Sequence, residues 1–146
     1  MQYFLITYEN EKFYVEVDSQ NTPLRQIIVD KKSQFHISCR EDCLAEGEIN
    51  INDLEGKYEI IQCEKFEFVW LTSIQHYRKE WEQTKSKYTI GKKVKGYSSF
   101  FYPQGVIVKG CDFYAVYNNL MVNFINQKVE AKVKGYDEKN MWLIIE

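Results

Sequence analysis

The chain has 146 residues, 19 basic and 21 acidic side chains, and a formal net charge of −2. That length suits one domain or two small ones, and an aromatic content of 16% excludes a disordered segment. No apolar run approaches the roughly 18–20 residues of a membrane-spanning helix, and near-neutral charge argues against binding polyanions over the whole surface.

The opening residues read as strands. Tyr3–Tyr8 and Phe13–Val17 are rich in β-branched and aromatic side chains and flank a polar turn over residues 9–12, which predicts a hairpin. A second hairpin is expected from Leu24–Val29 and Gln34–Cys39, joined by Asp30-Lys31-Lys32-Ser33. Residues 41–46 read as one helical turn that Gly47 stops, and 48–53 as a short strand or loop. Residues 57–62 read as a further strand. From about residue 64 the period lengthens: Phe66, Trp70, Ile74, Tyr77, Trp81 and Tyr88 recur at helical intervals, and Arg78 and Glu82 are spaced to pair. This predicts an amphipathic helix over 64–87. An alternative starts the helix at a Thr72/Gln75 capping box and leaves Phe66, Phe68 and Trp70 alternating as a strand.

Composition then shifts. Residues 1–87 carry 11 basic and 16 acidic side chains, whereas 88–146 carry 8 and 5; four of seven glycines lie between Gly91 and Gly110. Five short strands are expected here, at 92–101, 105–109, 113–117, 127–135 and 141–145. Val129, Ala131 and Val133 alternate with lysines and Glu130, as in a strand with one wet face. Five strands with glycine-marked bends suit a small closed barrel. The expected class is mostly β (α+β): an N-terminal antiparallel unit over 1–63, a linking helix over 64–87 and a barrel over 88–146.

The barrel segment carries a resemblance. Ile90-Gly91-Lys92-Lys93-Val94-Lys95-Gly96, then Phe101, then Gly105-Val106-Ile107-Val108, resembles the start of an S1 RNA-binding domain. Residues 128–133, followed by Asp137 and a final apolar strand, resemble its closing hairpin. The resemblance spans about 40% of the chain. It implies a five-stranded OB-fold barrel, with Phe101 pointing inward and single-stranded RNA as partner. The family's two stacking aromatics fall on Gln104 and Ile107, and its histidine near Tyr117. Tyr97, Phe100, Tyr102, Tyr114 and Tyr117 are the rings present to replace them. The resulting reading is a non-catalytic, RNA-preferring module in which Lys93, Lys95 and Lys109 contact phosphates while Tyr102 and Tyr117 stack on bases. The alternative is an adaptor for a protein partner whose barrel has lost its RNA surface.

Other chemistry has less behind it. His36, Cys39, Cys43 and Cys63 include half a zinc-like spacing in Cys39-x3-Cys43, against which buried reduced thiols are the simpler expectation. Only two histidines occur, and no nucleophile elbow, phosphate loop or dinucleotide fingerprint is present. No enzyme activity, metal or cofactor is therefore expected. The first residues lack a basic segment and a cleavage site, which points to a cytoplasmic protein with reduced cysteines.

Overall fold

The computed structural model describes residues 1–146. It is mostly β, with two sheets and a helical stretch of 25 residues. The chain divides into two compact units, 1–76 and 77–146.

The first unit is built on a five-stranded antiparallel sheet. Its strands are β1 (Gln2–Tyr8), β2 (Glu11–Val17), β3 (Pro23–Val29), β4 (Phe35–Ile37) and β5 (Lys57–Ile60), in the order β4-β3-β2-β1-β5. The first hairpin is tighter than the sequence implied. Glu9 and Asn10 both adopt positive φ, so two residues suffice for the turn and Tyr8 pairs directly with Glu11. Residues 41–46 form no helix, and Ile51–Asp53 form a single 3₁₀ turn capped by the Asn50 side chain.

Both faces of this sheet are covered, which explains the consecutive buried run Phe4-Leu5-Ile6. Phe4, Ile6, Val15 and Val17 pack against Ile49, Ile51 and Leu54. On the other face lies helix α1 (Cys63–Ile74), which buries Phe66, Trp70 and Ile74; Tyr3 meets Phe66 with ring centroids 5.1 Å apart. The periodic stripe thus begins as helix at Cys63, not as a strand. Arg25 is fully enclosed on this face, 5.0 Å from the Phe66 ring and 4.9 Å from that of Trp70. Its fork bonds Glu16 at 2.8 and 2.7 Å and reaches Glu67 at 2.5 Å. Burial alone would lower the guanidinium's pKa, but the two carboxylates reverse that and raise it.

A 3₁₀ turn at Gln75–Tyr77 precedes α2 (Arg78–Lys87), which belongs to the second unit. Glu82 pairs with Lys85 at 3.1 Å, a closer partner than the expected Arg78. Trp81 is buried, with its indole N–H donating to Glu138 at 2.8 Å and its ring edge-on to Tyr136.

The remaining strands are β6 (Lys93–Tyr102), β7 (Gly105–Lys109), β8 (Tyr114–Tyr117), β9 (Lys128–Asp137) and β10 (Trp142–Ile145). Each pairs with two neighbours in the order β10-β8-β7-β6-β9, and β9 returns to β10, so the sheet closes on itself. Every pair is antiparallel except β8 with β10. Val94, Val108, Ala115, Val129, Val133 and Leu143 are among the residues that fill its interior. Gly96 is needed where β6 meets β7: a Cβ there would stand 2.7 Å from the Lys109 carbonyl oxygen and from a Val108 methyl.

Candidate nucleic-acid interface

Strand alternation sets the outer face of β6. Lys93, Lys95, Tyr97 and Phe101 are exposed, whereas Val94, Phe100 and Tyr102 are buried. Phe101 therefore points outward, contrary to the inward place that the resemblance implied. Burial alternates along the whole strand, with Phe100 and Tyr102 on the buried side, although a β-bulge between Ser98 and Phe100 shifts the register with β7.

Register then assembles a basic surface around one ring. Tyr97, 54% exposed, lies opposite Lys109 on β7 and Lys128 on β9. Two residues along, Lys95 faces Glu130, and Lys93 faces Lys132. A groove of about 630 Å³ runs over this face, lined by Lys95, Tyr97, Ser99, Lys109, Asn126 and Lys128 among others, with no acidic residue in its wall. Glu130, at its margin, accepts a bond from Lys128 at 3.1 Å. That bond, helped by the charges of Lys95 and Lys93, holds its carboxyl below the usual carboxylate range. Asp112 lies one residue beyond the groove-lining Cys111 and is occupied by Lys87 and the Tyr88 hydroxyl.

The expected residues fall into two groups. Lys93, Lys95 and Lys109 are exposed on this face. Tyr102 is not: at 9% exposure its ring packs 4.9 Å from Phe100 and 6.2 Å from Trp142, leaving no free face for a base. Tyr117 is half-buried near the far end of β8, with its hydroxyl accepting a bond from Asn119 at 2.8 Å. Tyr114 is half-buried under the Lys109 ammonium, 5.7 Å from its ring centre. Ile107, at one family stacking position, is wholly buried.

The expected set leaves out Lys128 and Lys132, which share this face. Their outward side was readable from the β9 alternation, but their place beside Tyr97 and Lys93 depends on a pairing across some thirty residues of chain. The charge asymmetry is also steeper than the sequence division suggested. Residues 1–76 carry 7 basic and 14 acidic side chains, and 77–146 carry 12 and 7.

The histidine and cysteine set is not a common site. His36 lies between two carboxylates, 2.8 Å from Asp30 and 2.9 Å from Glu41. Cys39 is wholly buried, Cys63 is exposed beside the Tyr3 hydroxyl, and burial pushes the Cys43 thiol up to about 12. No group of three or more His, Cys, Asp or Glu side chains is arranged to hold a metal ion. No helix is long and apolar enough to cross a membrane.

No protein-family model matches the chain, and no curated protein matches it.

Proposed function

We propose that residues 88–146 form an S1-like, OB-type barrel that binds single-stranded nucleic acid, RNA by preference, without catalysing a reaction. The closed five-stranded sheet supports the barrel reading. The observation that carries the binding reading is the exposed Tyr97 ring set among Lys95, Lys109 and Lys128 in a groove whose wall holds no carboxylate. An aromatic platform within reach of several ammonium groups serves single strands well: any base can stack on the ring, while the lysines neutralise phosphates. In this reading Lys93, Lys95, Lys109, Lys128 and Lys132 hold the backbone, and Tyr97 takes the stacking role first expected of Tyr102. Tyr117 remains a second ring at the far end of β8.

The test is a titration with single-stranded RNA at several salt concentrations. Affinity should fall as salt rises, with a slope of about −0.7 per phosphate neutralised. Absence of binding at about 50 mM salt would end the proposal. A DNA strand of the same sequence reports whether the 2′-hydroxyl is read.

A second reading, a protein-binding adaptor, draws on the family stacking positions. Gln104 and Ile107 hold no ring there, and Ile107 is buried. It predicts partners that co-purify after nuclease treatment and are lost on reversing the charge of Lys109.

A further inference from the structure

The segment between β8 and β9 is unusual in what it exposes. Residues 118–127 contain no charged side chain, yet Leu120 is 94% exposed, Met121 80%, Phe124 60% and Ile125 58%. A loop that was merely solvated would carry polar side chains at such positions.

This loop is also held in place. Asn119 accepts the Met121 amide at 2.9 Å, and Val122 is buried. Ser98, wholly buried and adjacent to Tyr97, ties down the returning limb: its hydroxyl donates to the Phe124 carbonyl at 2.6 Å and accepts the Gln127 amide at 2.9 Å. The Ser98 backbone accepts from the Asn126 amide at 2.8 Å and donates to the Gln127 carbonyl at 2.9 Å. Asn126, at the foot of this limb, lines the lysine groove itself.

We infer that the 120–125 loop is a base-contacting wedge, which inserts Phe124 and its aliphatic neighbours against the unpaired bases of a strand whose phosphates lie on Lys95, Lys109 and Lys128. The inference rests on the nucleic-acid reading above and narrows its ligand to strands with splayed or unstacked bases. Unpaired bases stack on exposed aromatic rings such as Phe124, and an uncharged loop carries no desolvation cost for charged groups when they do so. The lysines at its foot supply the phosphate contacts that such a wedge lacks. A duplex, whose bases are already stacked and paired, gains nothing from it.

Phe124→Ser, the pair Leu120→Ser with Met121→Ser, and Lys109→Gln are compared with the unaltered chain. The probes are a short single-stranded oligouridylate RNA and a hairpin duplex RNA, each titrated at several salt concentrations. Phe124→Ser should weaken the single strand by about tenfold, within the range expected for one stacked base. It should leave duplex binding and the salt slope unchanged; the double serine variant should behave alike, more weakly. Lys109→Gln should flatten the slope. If Phe124→Ser leaves single-strand affinity unchanged while Lys109→Gln flattens the slope, the wedge is wrong and the nucleic-acid reading stands. If the unaltered chain binds neither RNA at low salt, both fall.

Phe124→Trp gives a direct signal, because the native tryptophans at 70, 81 and 142 are all buried. The introduced indole should keep the affinity and be quenched on adding the RNA. Unchanged emission on RNA binding, or a blue shift produced only by phosphatidylglycerol vesicles, overturns the wedge; the vesicle result assigns the loop to a lipid surface.

Discussion

Arg25 and Glu16 meet through two parallel bonds, Nε to Oε1 at 2.8 Å and Nη2 to Oε2 at 2.7 Å, with the side chains only 2% and 5% exposed. Neither position signals this in sequence, because an arginine in Leu24–Val29 reads as a solvent-facing strand residue. In the fold, α1 covers that face, and the guanidinium is enclosed by Phe66 and Trp70. Replacing Arg25 with Met leaves the buried Glu16 carboxylate without its cationic partner. The expected loss is about 3–5 kcal/mol in urea denaturation. Adding Glu16→Gln should recover part of it, since the stranded charge is gone. Arg25→Lys should not rescue, because one ammonium cannot reproduce the fork to Glu16 and the reach to Glu67. Equal stability of Arg25→Met and the unaltered chain would refute this role.

His36 gives the first unit a pH-dependent contribution. Hydrogen bonds to Asp30 and then Glu41 raise its pKa above the ordinary 6.5, and the His36 bond lowers that of Asp30 below 3.8. The raised histidine contributes stability that is fully present below 6.5 and is lost as pH rises through its folded value. The lowered aspartate contributes above 3.8 and loses that contribution as pH falls through its own folded value. The stability difference between the unaltered chain and His36→Ala should therefore be greatest between these two values and decline on the alkaline side. Denaturation midpoints at a series of pH values measure it; a difference that grows toward alkaline pH would contradict the arrangement.

Patterns within a single element were legible, and relations between elements were not. The Val129–Ala131–Val133 alternation and the Phe66–Trp70–Ile74 stripe each identify a buried face, because the repeat follows directly from strand or helix geometry. Phe101 obeys the same logic and departs only from the resemblance: burial alternates from Lys93 to Tyr102, so period two sets Phe101 on the exposed side with Lys93, Lys95 and Tyr97. The basic groove was half visible: Lys93, Lys95 and Lys109 could be named, but Lys128 joins Lys109 across Tyr97 only through the pairing of β6 with both β7 and β9. His36 was weighed against cysteines because of their spacing, whereas its partners, Asp30 and Glu41, come from the two turns that flank β4.

Gly96 fixes how closely β6 and β7 approach under the groove. An alanine methyl would collide with the Lys109 carbonyl and the buried Val108, and backbone cannot yield as a flexible side chain does. Gly96→Ala should cost about 1–3 kcal/mol by overpacking. On the nucleic-acid proposal it should also displace Lys109 relative to Tyr97, weakening RNA binding and flattening the salt slope as Lys109→Gln does. Gly47→Ala is the contrast: its Cβ would meet nothing within 4 Å, so any cost there comes from its positive φ alone. Thermal denaturation of the two variants, with RNA titration of the first, tests the assignment.

Tyr97 and Tyr102 lie five residues apart on one strand, and their substitutions should fail in opposite ways. Tyr97 is exposed and forms part of the groove wall. Tyr97→Ala should fold normally and lose about 1–3 kcal/mol of single-strand affinity, the contribution of one stacked base. Tyr102 packs between Phe100 and Trp142 in the interior. Tyr102→Ala should cost stability by about 3–5 kcal/mol, the range for deleting a buried aromatic ring. Under conditions where the variant remains folded, its RNA affinity should match that of the unaltered chain. Tyr102→Phe separates ring from hydroxyl and should retain both stability and binding to within about 1.5 kcal/mol. If Tyr102→Phe folds well but loses RNA affinity while Tyr97→Ala does not, the binding face lies elsewhere on the sheet.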